Sequence, residues 1–284
     1  MSGAIIPASA TVQDKTLIFL HIPKTAGTTL NRIIESQYSP WAIYTIDPHR
    51  IRATPERLTR LPEARRRRLR VVRGHFFYGI HECLPQGATY ITMLRDPVAR
   101  VLSAYHFILR RPLNPLHRKL KRERLTVQDC LRLFPQRHNL QCRLLSGIQD
   151  SSIKDEQLLE TAKKNLITSF KVVGVSERFE ESLSLMAQAF GWRIRFYENR
   201  KVAKNRPVVD PQLAKTIREH EYLDVELYEF GKNLFEEALQ QKQDEVRKRV
   251  AALRALRRPG PMKRFLLSNT TVARFILNKI LSAI

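Results

Sequence analysis

The segment His21-Ile-Pro-Lys-Thr-Ala-Gly-Thr-Thr29 gathers a lysine, a glycine and three threonines between an apolar run and a stretch with helical spacing. At such a handover the first backbone N–H groups of the helix lack partners further up the chain and point at any anion held there. Gly27 permits close backbone approach, and Thr25, Thr28 and Thr29 add hydroxyl donors on either side of Ala26 and Gly27. Lys24 adds a point charge able to follow negative charge developing on a leaving oxygen. The chemistry favoured is the holding of a phosphate-like group. The loop differs from the Walker A pattern of nucleotide hydrolases, in which the lysine follows the second glycine, because here Lys24 precedes Gly27.

A second constellation runs from Thr89 to Tyr105, TYITMLRDPVARVLSAY. A strand ending at Leu94 sets Arg95 at its carboxyl edge, Asp96 suits an N-cap and Pro97 the first helical position. Val98, Val101, Leu102, Tyr105 and Ile108 then form the expected buried face, with Arg100 and Ser103 turned to the other side. Ligands of open α/β sheets bind at carboxyl edges of strands, so Arg95 is placed to meet a phosphate. His75 follows a short strand and Gly74, and is expected at the same edge. A histidine takes a proton from a hydroxyl near neutral pH, which carboxylates and lysines do only when strongly perturbed. His81 is a weaker candidate for that role, and His21 is expected to pack beside the loop.

The elements that must position these residues read as alternating strands and helices. Thr16–Ile22 is a nearly continuous apolar run, as in a parallel strand covered on both faces, and Arg70–Val72, Thr89–Leu94 and Lys171–Val175 read as further strands with helical stretches between. This predicts a mostly parallel α/β sheet. From Asp210 a helix is expected, capped by Asp210 and opened by Pro211, with Leu213, Ile217, Tyr222, Leu223, Leu227 and Phe230 as its buried stripe. Beyond residue 240 the chain turns basic, breaks at Pro259-Gly260-Pro261 and ends in Phe265–Ile284, an amphipathic helix suited to dimerisation or a membrane surface. The domains expected are thus 1–240 and a helical tail, 241–284.

Lys and Arg number 50 against 27 Asp and Glu in 284 residues, a formal charge of +23, so an anionic partner is expected. Arg50–Arg73 and Arg110–Arg124 concentrate the charge. Three cysteines at spacings matching no disulfide or zinc pattern, with no signal peptide, point to a reducing, cytoplasmic compartment. No acidic pair is placed for magnesium, and no metal is expected.

The two motifs together resemble the PAPS-dependent sulfotransferases, in particular the carbohydrate branch with the heparan sulfate 2-O-sulfotransferases and their bacterial relatives. HIPKTAGTTL is similar to that family's 5′-phosphosulfate loop and LRDPVARVLSAY to its 3′-phosphate motif, with Arg95 and Ser103 eight residues apart. The likeness continues through Gly74–Gly79, Asn139–Gly147 and Val172–Phe179, and covers roughly Thr16 to Tyr228. The resemblance implies a P-loop-NTPase-like fold. It implies that Lys24, Thr25, Ala26, Gly27, Thr28 and Thr29 hold the phosphosulfate, that Arg95 and Ser103 hold the 3′-phosphate, and that Ser176 lies near the adenine. It implies further that PAPS is the donor, that His75 is the general base in an in-line transfer to a carbohydrate hydroxyl, and that Lys24 stabilises the leaving oxygen, with PAP as product. An anionic glycan acceptor would suit the charge. Two other readings of the residues are an ATP-dependent kinase-like transferase, which leaves the Arg95 and Ser103 pair without a purpose, and a nucleic-acid-binding protein, which leaves His75 and the loop without one.

Overall fold

The computed structural model describes residues 15–46, 54–150, 152–195 and 209–256. In chain order its elements are β1 (Thr16–Leu20), α1 (Gly27–Gln37), β2 (Ile43–Thr45), α2 (Thr54–Thr59), α3 (Glu63–Arg67), β3 (Val71–Gly74), β4 (Ala88–Leu94) and α4 (Pro97–Leu109). There follow α5 (His117–Arg122), α6 (Val127–Leu133), α7 (Leu140–Ser146), α8 (Asp155–Ser169), β5 (Phe170–Val175), α9 (Phe179–Phe190), α10 (Pro211–His220), α11 (Tyr222–Gln240) and α12 (Gln243–Leu256). The five strands form one sheet in the order β2-β3-β1-β4-β5, and every pairing is parallel.

All five residues of β1 are buried, which explains its unbroken apolar sequence: a central parallel strand meets helices on both faces. From β1 the chain runs to β2 at the sheet edge, returns inward to β3 beside β1, and then crosses to β4 and β5 on the other side. The carboxyl edge between β1 and β4 is therefore the switch point where open α/β sheets bind ligands. Register aligns Leu20 with both Gly74 and Thr92, so the loop after β1, His75 and Arg95 emerge at one edge.

Four strands lie where the apolar runs predict them, with shifted ends. β1 stops at Leu20 and releases His21 and Ile22 into the loop, while β3 runs on through Gly74, where a side chain would meet Ile46 Cβ at 2.8 Å. β2 carries no period in its three residues and is not foreseen. The helix expected from Asp210 is two helices that break at Glu221; Ile217, Leu223 and Leu227 are buried as expected, but Tyr222 is exposed. Asp210 caps α10 through Leu213 N–H at 2.8 Å, and Asp96 caps α4 through Ala99 N–H at 2.8 Å.

α4 packs one edge into a small cluster of Val98, Val127, Leu131 and Ile217, which ties it to α6 and α10. α12 lies on α9 and buries Val246, Val250 and Leu253 in the main core. The Pro259–Pro261 break, the amphipathic stretch and Arg50 to Ala53 lie outside the described residues. No helix among the described residues is long and apolar enough to cross a membrane.

Candidate active site

Between β1 and α1 the backbone adopts left-handed conformations at Lys24 (φ 75°) and Ala26 (φ 63°). Each costs a side-chain-bearing residue on the order of 1 kcal/mol or more, so two on either side of Thr25 mark a loop held against its preference. Alternation of left-handed with ordinary backbone is how successive N–H groups form an anion-binding concavity. Ala26, at the N-cap of α1, has no side chain to take up the helix's first N–H groups. The Thr25 hydroxyl is buried and donates to the Ile22 carbonyl at 2.8 Å, so it shapes the loop, and Thr29 is also buried. Thr28 is the exposed hydroxyl of the three.

Gly27 has a reason the sequence does not show. A Cβ there would lie 1.9 Å from His21 Nε2, so the imidazole rests directly on the glycine. His21 also stacks on Phe19, with centroids 5.3 Å apart, and meets His75 at a tilt, with centroids 4.3 Å apart. Lys24 extends the other way, with Nζ 4.1 Å from the ring centroid of Phe107 on α4; Arg111 faces the same ring at 5.2 Å.

Arg95 joins the two motifs. Its Nη1 donates to the Lys24 carbonyl at 2.7 Å and so braces the left-handed loop, and its Nε lies 3.8 Å from Glu177 Oε1. Glu177 sits in the single 3-10 turn Ser176–Arg178 after β5, where it also accepts from Ser176 Oγ at 3.2 Å and Tyr228 OH at 3.3 Å. Ser176 is thus brought to the Arg95 side of the site. Ser103 lies half-buried on α4, past its first turn.

His75 is the informative side chain. Its Nδ1 meets the His21 carbonyl in a short hydrogen bond. A carbonyl only accepts, so Nδ1 carries the proton and Nε2 keeps the basic lone pair. Burial lowers the His75 pKa below 6.5, against a smaller opposing effect of that bond. The ring is therefore neutral at pH 7, with its tautomer set, beside the loop that follows β1.

His81 is differently engaged: Nδ1 pairs with Tyr90 OH at 2.9 Å and the ring packs on Tyr78, away from the strand ends. Arg100 corrects the expectation that it lies outside the buried face of α4: it is 3% exposed, and its Nη2 donates to Glu221 Oε2 at 2.6 Å. Its partner lies far along the chain, out of reach of helical periodicity. The basic stretches also separate. α3 leads into the amino end of β3, which places Arg65 to Arg70 a strand's length, roughly 13 Å, from His75. The second stretch, Arg110–Arg124, instead follows α4 directly, and its Arg111 faces Phe107, the same ring that Lys24 faces.

The model of a family described as "Sulfotransferase family" matches residues 9–231. Heparan-sulfate 6-O-sulfotransferase 1 of Cricetulus griseus is 26% identical, with 81% of this chain and 69% of that protein covered. Heparan sulfate 2-O-sulfotransferase 1 of Homo sapiens is 23% identical, with 79% and 71% covered. Among solved structures, the sulfotransferase from Alicyclobacillus acidocaldarius aligns over 75% of this chain and 94% of its own at 17% identity, with a TM-score of 0.44.

Proposed function

The chain belongs to the sulfotransferase family, and from that premise we propose that it moves the sulfuryl group of PAPS to a hydroxyl of a carbohydrate, with His75 as general base. The observation that carries this reading is the bond from His75 Nδ1 to the His21 carbonyl, which leaves Nε2 as the proton acceptor beside the loop. The carbohydrate acceptor is supported by relatives whose names state action on heparan sulfate.

The residues present fit the donor. The left-handed loop, the opening turn of α1 and exposed Thr28 suit the 5′-phosphosulfate; Arg95, with Ser103, suits the 3′-phosphate, and Ser176, bonded to the Glu177 that faces Arg95, would lie toward the adenine. When bound, PAPS supplies an activated sulfuryl group on a phosphate leaving group. His75 Nε2 takes the acceptor hydroxyl's proton and holds it on the imidazole. Lys24, on the same loop, would offer its ammonium to the negative charge on the departing oxygen, and the N–H groups of α1 would add fixed dipoles that need no reorganisation. Arg111, which shares the Phe107 ring with Lys24, favours an anionic glycan that would approach over the start of the second basic stretch.

Titration of the full chain with PAP, ATP and a mixed oligonucleotide tests the donor reading. PAP is expected to bind tightest, because ATP lacks the 3′-phosphate that Arg95 would hold. Tighter binding of ATP or of the oligonucleotide would overturn it.

A further inference from the structure

Behind Arg95 lies a buried polar cluster that the proposed chemistry does not use. Arg100 donates to Glu221 Oε2 and places its Nε 3.6 Å from Asp224 Oδ2. Glu221 Oε2 also accepts from the N–H of Asn139 at 3.1 Å, and Asn139 Oδ1 accepts from the N–H groups of Leu223 and Asp224 at 3.1 and 3.2 Å. The Asp224 carboxylate takes the N–H groups of Gln141 and Cys142, at 3.1 and 2.8 Å, and so fixes the start of α7. All five side chains, Arg100, Asn139, Gln141, Glu221 and Asp224, are at least nine-tenths buried.

Gln141 turns this cluster toward the site. Arg95 has left the β4 ladder, where the strand would have paired its N–H and C=O. Gln141, fully buried, supplies both partners: Oε1 accepts from Arg95 N–H at 3.0 Å and Nε2 donates to Arg95 C=O at 2.9 Å. One amide thus grips both sides of the residue whose guanidinium braces the Lys24 carbonyl. A buried side chain held at its own backbone and bonded twice to one residue has few alternative positions.

We propose that Gln141 is a positioning residue for Arg95, fixing its main chain so that the guanidinium reaches the Lys24 loop and the 3′-phosphate together. The proposal rests on the reading of Arg95 as the 3′-phosphate ligand. It accounts for the buried amide of the Asn139–Gly147 block, to which that reading assigns no part.

The test uses two ligands that differ by the 3′-phosphate alone, PAP and 5′-AMP, titrated against the full-length parent, Arg95→Ala, Gln141→Leu and Gln141→Glu. Arg95→Ala should lower the preference for PAP over AMP. Gln141→Leu, which removes both bonds, should lower that preference on the order of tenfold while changing AMP binding by less than a few-fold. Gln141→Glu keeps the acceptor for Arg95 N–H but loses the donor to its carbonyl, and should lower the preference by several-fold; if the leucine variant does not fold, this variant decides. A role confined to folding would lower the melting temperature and weaken both ligands alike, and that result overturns the proposal. If Arg95→Ala lowers the preference and neither Gln141 variant that folds does, the positioning role fails and the Arg95 reading stands. If Arg95→Ala leaves the preference unchanged, the Arg95 reading fails and the proposal falls with it.

Discussion

His75 Nδ1 donates to a carbonyl oxygen, and that single contact makes Nε2 the ring's basic nitrogen. Because burial lowers its pKa, the base form is populated throughout the neutral range, and the acid limb of kcat/KM should fall below pH 6.5 rather than at it. An acid limb above that value would contradict the assignment. His81→Ala should cost about 1 kcal/mol of stability through its lost bond to Tyr90 and leave kcat within a few-fold. Glu177 sets a carboxylate 3.8 Å from Arg95 Nε, so Glu177→Gln should tighten PAP binding by up to about 1 kcal/mol, the scale of a half-exposed ion pair. Calorimetry showing weaker binding would instead make Glu177 part of what holds the ligand. Arg95→Ala should weaken PAP by roughly 1.5 to 3 kcal/mol, and ATP by less, because ATP lacks the 3′-phosphate and loses only the bracing of the Lys24 carbonyl. Lys24, Arg95 and His75 are legible in the sequence because their side-chain types announce their chemistry. Glu177 and Gln141 are not, since each meets Arg95 from a distant stretch of chain, and a buried amide between apolar neighbours looks like any polar residue in a helix.

At the scale of elements, the loop and α1 are joined to the histidines through Gly27. A methyl group there would enter the His21 ring, and His21 supplies the carbonyl that sets the His75 tautomer. Gly27→Ala should therefore cost about 1 to 3 kcal/mol of stability, as overpacking does, and should lower kcat beyond what the stability loss explains. Normal turnover in a folded Gly27→Ala protein would mean that His21 can shift without disturbing His75. The same glycine shows how far sequence reading reaches: its place beside Lys24 points to an anion loop and His21 is expected beside that loop, but no local pattern shows that the imidazole rests on Gly27 itself. Strands with several apolar residues in a row were readable; β2, two half-buried residues and an exposed Thr45 at the sheet edge, was not. The periodicity of α4 correctly marks Val98 and Ile108 as buried, with Val101, Leu102 and Tyr105 half-buried, yet turns Arg100 away from the buried face, because it counts apolar residues and Arg100 is buried against carboxylates on α11 and just before it.

Across the whole molecule, two carboxylates, Glu221 and Asp224, share the buried Arg100, and burial raises both pKa values, that of Glu221 to about 7. A raised carboxylate pKa means that the folded state holds the proton more tightly than the unfolded chain. The resulting stability is full below the unfolded value of 4.5 and is lost as pH rises through about 7. Urea denaturation at several pH values should show the gap between parent and Glu221→Gln changing across that window in the sense that the parent loses ground as pH rises. A constant gap would contradict the shift. The +23 charge is also unevenly useful. If an anionic glycan approaches over Arg111, then Arg111→Ala should raise its KM and flatten the dependence of KM on salt, while Arg65→Ala, at the far end of β3, should do neither. The most direct test of the account is the pH profile of sulfuryl transfer from PAPS to a heparan-type glycan, compared between the parent and His75→Ala. The account predicts transfer by the parent, with an acid limb below pH 6.5. It predicts a kcat about 10² to 10⁴-fold lower in the variant, with that limb gone and PAP still bound. A His75→Ala protein that turns over within a few-fold of the parent, or keeps the limb, would contradict it.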